Sequence, residues 1–290
     1  MNTTEYLSKW AISYKDDIIN NIMPFWMKYG LDKEHGGVYT CVNRDGSLID
    51  TTKSVWFQGR FGFIAAYAYN NIEKNPQWLA ASKSCIDFIE AHCFDTDGHM
   101  FFEVTEDGKP LRKRRYVFSE GFAAIAMAEY ALATGEKEYA KKALDIFKRT
   151  LHFLNTPGFL EPKYLPTLPS KGHSITMILI NTASRIRMVI DDPSLTEQID
   201  TSIAALRKYF IHPEFKALLE MVGPDGEFID TCNGRVINPG HCIETAWFIM
   251  EEAKYRNWDK DLLQLALQIL DWSWEWGWDK EFGGIINFRD

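Results

Sequence analysis

Between positions 136 and 155, apolar residues fall at steps of three and four: Ala140, Ala143, Leu144, Phe147, Leu151 and Leu154. Lys141, Lys142, Asp145 and Lys148 occupy the rest of the circumference. That spacing predicts a helix with one wet side. The stretch before it, FSEGFAAIAMAEYALA at 118–133, is apolar nearly all round. It predicts a helix buried on both sides, closed by a glycine cap at Thr134-Gly135. The same couple, a dry helix followed by a wetter one, recurs at 55–70 and 77–92. It recurs again from about 172 with 196–210, and from about 239 with 259–274. An opening helix over 5–28 brings the expected set to nine, or four and a half pairs.

Strand-like stretches with glycine-rich turns precede three of the dry helices, at 36–50, 99–111 and 215–230. Asp-Gly between alternating residues predicts hairpins there. Helix pairs repeated at this period imply a stacked or closed array. Inner helices that are apolar all round favour closure into a double-layered (α/α) barrel, an all-α fold with short β-hairpins in its loops, formed by residues 1–290 as one domain. The last stretch, WDKEFGGIINF at 278–288, echoes LDKEHGGVY at 31–39. Every earlier hairpin leads into a dry helix, whereas this one reaches the final residue. A ring of six pairs needs about 100 residues more at this repeat length, so the expectation is a chain shortened at its C-terminal end.

Composition narrows the function classes. The net charge of −8 disfavours nucleic acid and anionic membranes as partners. The single basic run, Arg112-Lys113-Arg114-Arg115, reads as a solvated loop after the Asp107-Gly108 turn. Five cysteines with no CxxC spacing point to reduced thiols, with neither a disulfide framework nor a metal set. The first ten residues lack the basic and apolar regions of a secretion signal, and no apolar run approaches membrane length, so a cytoplasmic location is expected. Aromatic residues reach 14%, which suits either a large core or the faces of sugar rings.

Candidate chemistry lies at the starts of the dry helices. In NPGHCIETAW (238–247), Pro and Gly mark a helix start, and His241, Glu244 and Trp247 share one face. An imidazole titrates near neutrality, a carboxylate one turn away can fix its tautomer, and an aromatic beside them can bound a sugar ring. In VWFQGRF (55–61), Arg60 interrupts an apolar segment and calls for a structural carboxylate or a substrate oxygen, with Trp56 beside it. Glu120 opens the next dry helix with the same need, and Arg60 and Glu120 could satisfy one another. His173 stands near the start of a third. Polar groups at corresponding ends of four helices suggest one ligand-binding mouth. His35, His92, His99, His152 and His212 receive no role. No phosphate loop, dinucleotide fingerprint or HExxH motif is present.

KSVWFQGRFGF (53–63), VFSEGFAAIAMAEYALATG (117–135), GRVINPGHCIETAWFIMEEA (234–253) and WDKEFGGI (278–285) resemble the N-acylglucosamine 2-epimerase family, whose vertebrate members are also called renin-binding proteins. The resemblance runs over essentially the whole chain. It implies an (α/α)6 barrel, interconversion of N-acetylglucosamine and N-acetylmannosamine, no required cofactor, ATP as an activator, an amino-sugar partner and a homodimer. Carried over by position, it implies an acid/base role for His241, support of His241 by Glu244, and binding of the open-chain carbonyl end by Arg60. A weaker carry-over marks His173. Asn-Pro-Gly-His followed by Ile-Glu looks more like the acylglucosamine branch than the cellobiose 2-epimerase branch. The family's second acid/base histidine comes from a segment with no counterpart in these 290 residues, which implies weak or absent epimerisation by this chain. Competing readings are an aldose–ketose isomerase or cellobiose 2-epimerase on the same scaffold, or a carbohydrate-binding or interaction module that has lost catalysis.

Overall fold

Alternation of dry and wet helices is what the computed structural model shows; it describes residues 2–113 and 116–290. The chain forms two compact units, Met1–Glu161 with Met188–Ile190, and Pro162–Arg187 with Asp191–Asp290.

The first unit opens with α1 (Thr3–Asp17), capped by Asn2 in a reciprocal box with Glu5, and with no buried residue. One helix is expected over this region, but a π-turn at Ile18–Ile22 separates α1 from α2 (Met23–Tyr29). Pro24 lacks the N–H that a regular helix needs there and crowds the preceding turn, and the wider turn accommodates it. A two-stranded ribbon follows, β1 (Cys41–Val42) with β2 (Leu48–Asp50), then β3 (Lys53–Ser54), which runs directly into α3 (Val55–Asn71). α4 (Pro76–His92), β4 (Phe101–Val104), β5 (Pro110–Lys113), α5 (Phe118–Thr134) and α6 (Lys137–Asn155) complete it. The strands form a sheet in the order β3-β4-β5.

α5 is buried over most of its circumference and ends at Gly135 in the left-handed conformation, whereas α6 buries one face only. α3 meets α5 at glycine. A Cβ on Gly59 would lie 2.6 Å from the Phe122 carbonyl carbon and 2.8 Å from the Ala123 nitrogen. Only a residue without a side chain lets the two backbones come this close. α3 is not dry all round, since Phe57 and Ile64 remain exposed.

A buried ion pair ties the turns to these helices. Lys53, fully buried, donates to Asp32 Oδ2 at 2.7 Å and to the carbonyls of Gly36 and Glu106 at 2.8 Å each. Gln58, also buried, accepts from Val38 N–H at 2.8 Å and donates to Val38 O at 2.6 Å. The approach to α3 is thereby clamped to the 31–38 turn.

The described half of the basic run is exposed, as its composition suggests, but it forms strand and not loop. Arg112 and Lys113 end β5, and Lys113 bridges Asp95 and Asp97 at 2.7 and 2.6 Å. Arg114 and Arg115 lie outside the described residues.

The second unit comprises β6 (Lys171–Gly172), α7 (His173–Arg187), α8 (Pro193–Ala205), a π-turn at Leu206–Phe210, β7 (Ile211–His212), β8 (Ala217–Leu218), β9 (Met221–Val222), the single turn α9 (Cys232–Arg235), α10 (Pro239–Tyr255) and α11 (Lys260–Gly277). Residues 223–227 close a local turn, as the Asp-Gly pattern suggests, but the strands beside it do not pair with one another. β8 pairs with β7, and β9 pairs with β6. The Pro224–Gly226 turn stands without a strand partner of its own, closed by the Gly223 and Gly226 backbone bonds. β8 closes a short hairpin with β7, and β9 is taken by the distant β6, so both buried strands find partners on other sides of the turn.

Among the described residues, no helix is long and apolar enough to cross a membrane.

Candidate functional site: two imidazoles on one carboxylate

Strand pairing in the second unit has a chemical result. Glu220 lies between β8 and β9, and its carbonyl accepts from the His173 backbone N–H at 3.0 Å. That bond sets Glu220 beside the first residue of α7. At the start of α10, Pro239 occupies the first turn and the Asn238 side chain caps the helix by accepting from His241 N–H at 3.1 Å. Both devices bring an imidazole to the Glu220 carboxylate. His241 Nδ1 lies 2.9 Å from Glu220 Oε1, and His173 Nδ1 lies 3.5 Å from the same oxygen.

The two histidines are not equivalent. His173 is fully buried, and its Nε2 lies 3.0 Å from Thr245 Oγ1. The Thr245 hydroxyl donates its proton to the His241 carbonyl at 2.8 Å. Toward His173 it can therefore only accept, which puts a hydrogen on His173 Nε2. The His241 side chain keeps 38% of its surface exposed and presents the reactive edge of the cluster.

Burial works to raise the Glu220 carboxyl, but hydrogen bonds and charge from His173 and His241 outweigh it and hold the group at about 2. The carboxylate is thus a permanent anion across the physiological range. It fixes His241 by accepting from Nδ1–H, leaving the lone pair on Nε2, the form that can take a proton.

Glu244 and Trp247 share the His241 face as their spacing predicts. Glu244 is half-buried, and Trp247 is 44% exposed with its ring against Phe248 at 5.1 Å. The carboxylate bonded to His241, however, is Glu220. The support expected from Glu244 comes from a residue 21 positions earlier in the chain.

In the first unit, Trp56, Arg60 and Glu120 stand at the adjacent starts of α3 and α5. Trp56 stacks on Phe118 and Phe122, with ring centroids 5.2 Å apart in both pairs. The Arg60 guanidinium lies over the Phe122 ring at 4.5 Å and over Trp56 at 5.3 Å. Glu120 does not pair with Arg60. Its Oε1 accepts from Met100 N–H at 2.7 Å and meets His99 Nδ1 at 2.5 Å. The pairing is local because His99 and Met100 precede β4, which packs beside the start of α5, and both Glu120 and His99 are buried.

Sequence reasoning passed over Glu220, Thr245 and His99. Glu220 did carry a signal, as the lone charge in the apolar run ALLEMV, where burial demands a partner. Thr245 carried none, since a buried hydroxyl in a helix usually bonds its own backbone.

The family model described as N-acylglucosamine 2-epimerase (GlcNAc 2-epimerase) matches residues 37–290. The N-acylglucosamine 2-epimerase of Rattus norvegicus is 29% identical over 94% of this chain and 67% of its own length, so the chain spans about two thirds of that relative. A cellobiose 2-epimerase of Eubacterium cellulosolvens is 29% identical over 52% of the chain and 37% of its own length. Among solved structures, the cellobiose 2-epimerase of Bacillus thermoamylovorans B4167 superposes with a TM-score of 0.85 at 20% identity, covering 98% of this chain and 76% of that one, and shows a shared fold. The extent of the family match, over residues that include the whole His173–Glu220–His241 cluster, places this chain in the N-acylglucosamine 2-epimerase family.

Proposed function

We propose that this chain carries C2 proton transfer for a sugar 2-epimerase that interconverts N-acetylglucosamine and N-acetylmannosamine. One observation carries the reading: His241 reaches solvent while its inner nitrogen is held by a half-buried anion that a second imidazole also contacts. In the open-chain sugar, the C2 hydrogen lies α to the C1 carbonyl. His241 Nε2 takes that proton, the C2–H electron pair moves into the C1–C2 bond, and the carbonyl oxygen becomes the oxygen of a 2-acetamido enolate. The resulting imidazolium is stabilised by the Glu220 carboxylate. Return of the proton from the same side regenerates the starting sugar, and return from the opposite side gives the epimer. His173, fully buried behind Glu220, does not reach the sugar. It serves the base by holding the carboxylate in place.

The test is hydrogen–deuterium exchange at C2 of N-acetylmannosamine in D2O, followed by NMR with the wild-type chain and with His241→Ala. General-base removal typically costs 10²–10⁴-fold, so we expect exchange to fall by at least about a hundredfold in the variant. Exchange by His241→Ala at the wild-type rate would sink the reading. A second reading, favoured by the fold shared with a cellobiose 2-epimerase, is epimerisation of a β-linked disaccharide. Running cellobiose in the same experiment separates the two.

A further inference from the structure

The inner nitrogen of His173 is a polar atom left unfilled beside an anion. Thr245 engages His173 Nε2, and His173 Nδ1 stands 3.5 Å from the Glu220 carboxylate oxygen, a separation too long for a good hydrogen bond. His173 Nδ1 is buried and has no hydrogen-bond partner. His241 Nδ1 lies 2.9 Å from the same oxygen, and one ligand atom from each of His173, Glu220 and His241 lies within 4.8 Å of the others.

We infer that His173 Nδ1, Glu220 Oε1 and His241 Nδ1 form a binding site for a divalent first-row transition ion of the Zn2+ class. Zinc binds nitrogen and carboxylate oxygen at about 2.0–2.2 Å, which sets neighbouring ligand atoms of a tetrahedron about 3.3 Å apart. Two edges of the triangle measure 2.9 and 3.5 Å and straddle that value. The ligand types, two imidazoles and one carboxylate, suit zinc, cobalt, nickel or copper ahead of magnesium or calcium. The surrounding order is also what a metal site needs. Thr245 orients His173 through its other nitrogen, and the Glu220 and His173 backbones are bonded to each other. Three protein ligands leave a fourth position, on the side where His241 meets solvent, for water or a substrate oxygen. Bound metal takes the His241 nitrogen that the carboxylate otherwise holds, so the ion acts as an inhibitor of proton transfer. That consequence rests on the reaction proposed above, but binding itself does not.

Co2+ serves as the visible probe, with Zn2+ in competition, on tag-free protein stripped of metal. One equivalent of Co2+ should bind, with visible bands of low-coordinate cobalt that Zn2+ abolishes, while Mg2+ leaves them unchanged. Glu220→Gln keeps the shape and loses the anion, and it should weaken binding at least about tenfold. His241→Ala should do the same, and circular dichroism confirms that each variant is folded. Three results would overturn the site: no saturable binding at 100-fold excess metal, equal affinity in folded Glu220→Gln, or thiolate-to-cobalt bands showing capture by exposed Cys41 or Cys232. Exchange at C2 is read separately. Metal binding with a fully active His241→Ala would keep the site and remove the reaction, and the reverse pattern would remove the site alone.

Discussion

Replacing Lys53 by methionine tests how strongly the turns hold the start of α3. The ammonium donates three hydrogen bonds, to Asp32, Gly36 and Glu106, and lies over the Phe88 ring at 4.2 Å. Asp32 is 4% exposed and also accepts from the Glu34 and His35 backbone N–H groups. Burial pushes its carboxyl up, and the Lys53 and backbone bonds more than reverse this, so the group is held below its usual range. At 2.7 Å the gross attraction in a medium of effective dielectric 20 is about 6 kcal/mol, much of it offset by desolvation of the two ions. Methionine fills a similar volume but leaves Asp32 charged and uncompensated, with two carbonyls short of a donor. Breaking such a pair from one side costs about 3–5 kcal/mol. Hydrogen exchange read by mass spectrometry localises the effect. Peptides from 31–39, 53–71 and 101–113 should exchange roughly 10²- to 4 × 10³-fold faster, since each factor of ten is about 1.4 kcal/mol. Adding Asp32→Asn should restore much of the loss, because the pair is worth little net against a neutral replacement. Acceleration below about tenfold in Lys53→Met, or a double variant no better than the single, would refute the reasoning.

Glu220 makes a pH-dependent contribution. Its folded value of about 2 lies below its unfolded value of 4.5, so its stabilisation is present above about pH 4.5 and is lost as pH falls toward 2. Unfolding free energies of the wild type and Glu220→Gln should therefore converge by about 1 kcal/mol between pH 4.5 and 3.5, and a constant gap would contradict the assignment. Gly59→Ala places a methyl within 2.6 Å of the Phe122 backbone; overpacking of about 1–3 kcal/mol should exceed the helix-propensity gain of up to about 1, giving a lower melting temperature.

Helices were the legible part of this chain because their signal is local. The 118–133 run is apolar in every direction and forms α5, and the three-and-four spacing of 136–155 forms α6. His241 was legible for the same reason, since Asn, Pro and Gly beside it announce a helix start. Its partner was not. Glu244 is the near neighbour in sequence, but the bonded carboxylate arrives through strand pairing between β6 and β9, which periodicity cannot reveal. The 215–230 segment misled for the same physical reason: turn residues report what a segment can do alone, and pairing with β6 and β7 settles what it does. A ligand triad drawn from positions 173, 220 and 241 has no spacing that a sequence scan would notice.

The echoed stretches at the two ends of the chain turn out to be the same object. In each, the aspartate side chain accepts from the backbone N–H groups two and three residues on, at 2.9 and 3.1 Å for Asp32 and at 2.9 and 3.0 Å for Asp279. Two glycines at positive φ follow, and a bridge closes Leu31 to Val38 or Trp278 to Ile285. Yet Asp32 is buried against a lysine, while the turn around Asp279 faces outward. The loop's shape is therefore carried by its five shared letters, Asp, Lys, Glu and the two glycines, and recurs in two different surroundings. The clasp from Lys53 is thus an addition to a turn whose geometry the same letters reach without it.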